Sequence, residues 1–109
     1  MATVYKVLAQ AVSTTSEATL YTTPALTSTV VSTIVIANQT ASAATFRIVV
    51  RPSADGSTTA KHYIAYDITV GASDTTALTL GITLAAGDLI RVLASTTTCS
   101  FAAFGSEIS

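Results

Sequence analysis

The sequence predicts an all-β protein, a single compact β-sandwich of jelly-roll-like form with about eight antiparallel strands. Three observations predict it. Threonine, valine and isoleucine are abundant, and their branched Cβ favours extended backbone over helix. No stretch carries an apolar stripe at helical spacing bounded by caps. The apolar runs are short and end at Pro, Gly, Asn, Asp or Ser, as strands ending in turns do. The 109 residues suit one domain spanning the whole chain.

Residues 3–11 form the first predicted strand, and the polar stretch 12–16 a turn. Residues 18–23 form the second, stopped by Pro24, which has no N–H to give a ladder. Residues 27–37 form the central strand. Strict alternation sets Val30, Ser32, Ile34 and Ile36 against Val31, Thr33, Val35 and Ala37, so both faces are apolar. Such a strand is buried on both sides or covered by another subunit. After a loop at 38–44, residues 45–51 alternate cleanly. Phe46, Ile48 and Val50 are predicted inward, and Thr45, Arg47, Val49 and Arg51 outward, until Pro52 ends the run. Asp55-Gly56 reads as a turn with positive φ. Further strands are predicted at 59–70, 75–80, 82–84, 89–95 and 98–105, with a bend at Gly81.

Composition narrows the function classes. Only 10% of residues are charged against 50% hydrophobic, an unusually apolar balance for a small domain with much surface. Apolar surface in excess marks an interface, so permanent neighbours are expected. The net charge is −1, and Lys6, Arg47, Arg51, Lys61 and Arg91 are scattered, which disfavours nucleic acid and an anionic membrane. No apolar run approaches the length of a membrane helix, and the first ten residues lack the pattern of a signal peptide. Cys99 is the only cysteine, so no disulfide forms within the chain, and it is expected as a small packed residue.

No constellation of catalytic or metal-binding residues emerges. His62 stands alone among Lys61, Tyr63 and Tyr66, without a nucleophile motif, and is read as a polar strand or interface residue. The acids Glu17, Asp55, Asp67, Asp74, Asp88 and Glu107 are all isolated, and no calcium loop is present. Asn38-Gln39-Thr40 matches a glycosylation acceptor but is read as loop chemistry. Tyr5, Tyr21, Tyr63 and Tyr66 lie inside strand runs and are expected in core or interface rather than as sugar platforms. No catalytic residue, metal ligand or cofactor is nominated.

Seven segments carry a resemblance that runs from end to end. They are Tyr5-Lys6-Val7-Leu8, Leu20-Tyr21-Thr22 before Pro24, Val30-Val31-Ser32-Thr33-Ile34, and Thr45-Phe46-Arg47-Ile48-Val49-Val50-Arg51-Pro52. The others are Lys61-His62-Tyr63-Ile64-Ala65-Tyr66-Asp67, Leu80-Gly81-Ile82-Thr83-Leu84, and Phe104-Gly105-Ser106-Glu107-Ile108. In these the chain resembles a family of small virion structural proteins of tailed bacteriophages of cyanobacteria and other aquatic bacteria. The resemblance implies a non-enzymatic virion component, assembled in the cytoplasm of a bacterial host, where a lone thiol stays reduced. It implies an accessory subunit of the tail or baseplate-fibre region, or alternatively a capsid decoration protein on the head surface. A host-glycan binding module is the third reading.

The expected partners are copies of the chain and other virion proteins, with a glycan the least favoured. The expected contact residues are Val31, Val35, Arg47, Val49, Arg51 and Arg91. A small hydrolase built on His62 is the remaining alternative, and nothing else speaks for it.

Overall fold

The computed structural model describes residues 2–109. Nine strands run in order: β1 (Thr3–Val12), β2 (Ala18–Thr22), β3 (Ser28–Asn38), β4 (Ala44–Arg51), β5 (Tyr63–Val70), β6 (Thr75–Leu78), β7 (Ile82–Leu84), β8 (Leu89–Ala94) and β9 (Cys99–Ile108). One short 3-10 helix, Ala60–His62, precedes β5, so the single strand expected over 59–70 starts later than its composition suggests.

The strands divide into two antiparallel sheets. Sheet A has the order β1-β9-β3-β6, with β7 also paired to β3, and sheet B has the order β2-β8-β4-β5. The chain passes back and forth between the sheets, and its last strand inserts between the first and third. This is a double Greek-key jelly roll. β6 and β7 both lie along β3, one after the other, separated by Thr79, Leu80 and Gly81, whose φ is 64°. They are one interrupted strand, which reconciles nine segments with the eight of the expected architecture.

The core fills the space between the sheets. Phe46 of β4 and Phe101 of β9 meet edge to face across it, with ring centroids 6.4 Å apart. Ile34, Ile36, Ile48, Val70 and Ile90 surround them, fully buried, and Cys99 packs there as a free thiol.

A bulge decides which residues of β3 face that core. Against β9, Val31 pairs with Gly105 and Thr33 with Phe104, so Ser32 is an extra residue between them. Its Oγ donates to the Phe104 carbonyl at 3.1 Å. The inserted residue inverts the alternation. Thr29 and Val31 before it, and Ile34 and Ile36 after it, all point inward and are buried. The outward set is Val30, Thr33, Val35 and Ala37, all partly exposed. The expectation of an outward Val31 is therefore corrected: the bulge turns it into the core, at 1% exposure.

Turns follow their residues. Asn38 is buried, and its side-chain amide donates to the carbonyls of Ser42 (2.7 Å) and Gly71 (3.2 Å), while its Oδ1 accepts from the Thr40 amide and hydroxyl. The amide nitrogen of the glycosylation-like motif is thus committed to loop structure. Asp88 accepts from the amides of Ser53 and Ala85, clasping two loops at one end of the sandwich. The turn after β4 closes at Pro52–Asp55, where the Asp55 amide donates to the Pro52 carbonyl, rather than at Asp55-Gly56.

Candidate assembly surfaces

The two sheets present outer faces of opposite character. On sheet A, register with the buried positions identifies the outer side chains. They include Val30, Val35 and Ala37 of β3, Ala102 and Phe104 of β9, and Tyr5, Val7 and Val12 of β1. The five strands of sheet A contain two charged residues, Lys6 and Glu107. Both lie on the inner side, since Lys6 pairs with Gly105 opposite buried Val31, and Glu107 pairs with buried Thr29. Among the described residues, the outer face of sheet A therefore bears no formal charge.

Sheet B carries its charge outside. Arg47 of β4 grips Asp67 of β5 through Nε (2.7 Å) and Nη2 (3.2 Å) and stacks over the Tyr66 ring, 3.9 Å from its centroid. Its hydrogen bond to Asp67 raises the Arg47 pKa, and the same bond lowers that of Asp67. Asp67 holds φ at 52°, a left-handed position that a short polar side chain tolerates, and β5 is irregular there against β4. Tyr66 in turn meets Tyr63 edge to face at 5.0 Å.

A second cluster fastens the loop after β4. Glu17 accepts hydrogen bonds from Arg91 Nε and from Thr58 Oγ1, and Arg51 Nη1 donates to that same hydroxyl at 3.2 Å. Burial raises the Glu17 carboxyl, but the bonds from Thr58 and Arg91 and the charges of Arg91 and Arg51 outweigh it and hold the group below its ordinary value. With Thr58 pinned, the 52–62 segment lies back over sheet B. Val49 lies between Arg91 and Tyr63 in the register, outside the central core, and is fully buried. Its direction is outward as expected, but its role as a contact residue is corrected, because the returning segment and its neighbours cover it.

The same segment explains His62. Its Nδ1 accepts from the Thr59 amide at 2.9 Å, so the ring proton sits on Nε2 and donates to Asp55 at 2.8 Å. Lys61 stands 3.9 Å from the same carboxylate. The bond from His62 foremost lowers the Asp55 pKa. The ring is buried and bonded at both nitrogens, which makes it a loop anchor rather than a strand or surface residue.

The six expected contact residues thus lie in three places. Val31 is in the core; Arg47, Val49, Arg51 and Arg91 belong to sheet B; Val35 alone is on the uncharged outer face of sheet A. The arginines are bound within the chain, to Asp67, Thr58 and Glu17 respectively. Val7, Val12 and Phe104 of that face were not among the expected contact residues, and Tyr5 was expected only in core or interface. Alternate positions of residues 99–108 that include Phe104 carry no charge, whereas in residues 3–12 the bulge between Val7 and Ala9 puts Val12 in the same alternation as Lys6 and hides the uncharged face. A cleft of about 580 Å³ lined by Thr58, Thr59, Ala60, Tyr63 and Tyr66 opens beside the Arg47 cluster. No three or more His, Cys, Asp or Glu side chains among the described residues converge as metal ligands, and no described helix is long and apolar enough to cross a membrane.

No protein-family model matches the chain, and no curated protein matches it in sequence. Solved structures do match in fold. A chain from the crystal structure of the T13 infectious bursal disease virus particle aligns with a TM-score of 0.58 over 97% of this chain at 13% identity. A chain from the structure of the Gx strain of the same virus aligns at 0.55, again over 97% and at 13% identity. These alignments cover 29% and 32% of the viral chains, so this chain spans about a third of the length of the proteins it matches. At that identity the likeness is one of fold.

Proposed function

We propose that the chain is a non-enzymatic structural subunit of a virus particle, packed against copies of itself and other virion proteins. The observation that carries this reading is the outer face of sheet A. A five-stranded surface without a charge, bearing Val35, Phe104, Val7 and Tyr5, suits burial against a neighbour far better than permanent contact with water. The size is adequate. Four strand positions about 4.8 Å apart and about ten residues long give roughly 600 Å², or about 1,200 Å² over two partners, the lower end of the range for a specific interface. The likeness in fold to chains of an icosahedral particle supports the same reading.

Within that reading, the fold neighbours favour the head surface, as a capsid decoration protein. The resemblance to tailed-phage proteins, assembled in a bacterial cytoplasm, keeps the tail or baseplate-fibre region as the competing position. A cryo-electron-microscopy map of particles carrying a tagged chain separates the two. Absence of the tag from purified particles overturns the virion reading altogether. Val35→Asp is expected to fold, because its side chain points away from the core, and to fail to incorporate.

A second reading has its own observation. The open cleft beside Tyr63 and Tyr66 combines aromatic edges with the threonines Thr58 and Thr59, which suits a neutral sugar. Glycan-array binding that is lost in Tyr66→Ala favours it, and an array without signal removes it.

A further inference from the structure

Four strands border the sheets besides β1, and each is blunted. β2 has five residues, a register break between Thr19 and Tyr21, and Pro24 just beyond. β6 and β7 have four and three residues, separated by left-handed Gly81. β5 is longer, but it is broken twice in register and carries the Arg47–Asp67 pair. These are the devices by which proteins prevent unwanted strand pairing.

β1 has little of this protection. It runs for ten residues at the border of sheet A, without proline, and pairs with β9 alone. Its one bulge lies between Val7 and Ala9. Its one charge, Lys6, is drawn to Glu107 at 3.1 Å. It is also apolar and exposed on both faces. Tyr5, Val7 and Val12 project outward at 83%, 49% and 67% exposure, and Val4 on the inner side is 51% exposed. The inner side is bare because the facing border strand, β2, is half as long and leaves β1 overhanging.

We infer that β1 is a strand-addition edge whose occupant is β1 of a second copy of this chain, paired antiparallel about a two-fold axis. Several features point to a copy rather than a foreign strand. Lys6 is already neutralised, so two copies meet without uncompensated charge. A two-fold axis through an edge necessarily makes the pair antiparallel, the more stable ladder. A ten-residue overlap offers about ten backbone hydrogen bonds, the number found in a typical protein interface. Each copy then covers the other's Val4 on one side and Tyr5, Val7 and Val12 on the other. The dimer joins two sheets A into one continuous sheet. This pairing uses the edge, not the outer face, and stands whether or not the chain is a particle protein.

Sedimentation equilibrium of the purified chain tests it, with circular dichroism as the control for folding. Wild type is expected to dimerise as concentration rises. The double substitution Val4→Lys and Val12→Lys places cations on both sides of the edge without touching the core, and is expected to weaken dimerisation by at least about tenfold. Val35→Asp, in the middle of the outer face, is expected to leave the dimer intact. Hydrogen exchange of the wild-type chain gives a variant-free readout, since β1 amides are expected to slow with concentration. A wild-type chain that stays monomeric, a dimer indifferent to the double substitution, or a dimer dissolved by Val35→Asp overturns the proposal. The last result assigns self-association to the face.

Discussion

Tyr21 of sheet B donates its hydroxyl hydrogen to Glu107 of sheet A at 2.5 Å, tying the two layers together at one end of the sandwich. The same hydroxyl lies 2.9 Å from that of Thr29, and Lys6 reaches Glu107 from β1. Four strands thus share one polar knot. Tyr21→Phe removes the knot's centre and leaves the fully buried Thr29 hydroxyl without that partner. Loss of a bond to a charged acceptor costs about 2 kcal/mol. In a domain of this size that lowers the thermal midpoint by about 10 °C, which calorimetry at neutral pH measures.

The pH dependence of stability follows from the same groups. The bond from Tyr21, then that from Lys6, holds the Glu107 carboxyl below its ordinary value of 4.5, and Glu17 is lowered as well. A carboxyl lowered in the fold binds its proton more readily when unfolded. Its stabilisation is present above 4.5 and is lost as pH falls below it. On the alkaline side, burial and then Glu107 push Tyr21 up to about 12 from 10.0. The unfolded chain therefore ionises first, and stability falls between those values. Denaturant midpoints are expected to be level from pH 6 to 9 and to decline on both flanks. Tyr21→Phe is expected to flatten the alkaline decline.

Gly105 sits opposite the bulge of β3, where a Cβ would press into the Val30 carbonyl and approach Val31 Cα to 3.0 Å. Backbone cannot step aside as a side chain does. Gly105→Ala is expected to cost about 3 kcal/mol or more, read as a lowered denaturant midpoint. Gly56→Ala, with nothing within 4 Å of the added carbon, is expected to stay within about 0.5 kcal/mol of wild type.

His62→Ala removes two of the bonds that brace the segment after β4, leaving the Thr59 amide and Asp55 without it. A loss of about 2 kcal/mol is expected, with faster limited proteolysis between residues 52 and 62. A global loss of stability without local cleavage would show that His62 supports the core rather than the loop.

Much of this architecture was legible in the residues, for physical reasons. β4 reads correctly at Phe46, Ile48, Arg47 and Arg51 because side chains alternate strictly along an unbroken strand. The break at Gly81 and the stop at Pro24 follow from single-residue backbone constraints. β3 misleads because one inserted residue inverts its phase. Both faces of β3 are apolar, as its residues suggest, but the bulge at Ser32 exchanges their members, so that Val31 belongs beside Ile34 and Ile36 and Val30 beside Val35 and Ala37. Of the expected contact residues, Val31 is buried for the same reason, and the outward arginines are not free ones. Arg47, Arg51 and Arg91 find partners in Asp67, Thr58 and Glu17, which no local pattern links to them. The pairing of Asp55 with His62 spans an irregular segment, where no periodicity operates.

The break between β6 and β7 has a consequence for engineering. β6 pairs with Ile34–Ala37 of β3 and β7 with Thr29–Val31, so the three residues between them belong to neither ladder. Leu80 and Gly81 face open solvent at the rim of the sheet. Foreign peptide grafted between them is expected to lengthen an exposed connection and leave both ladders in place. A chain with this break is a ready scaffold for displaying an epitope.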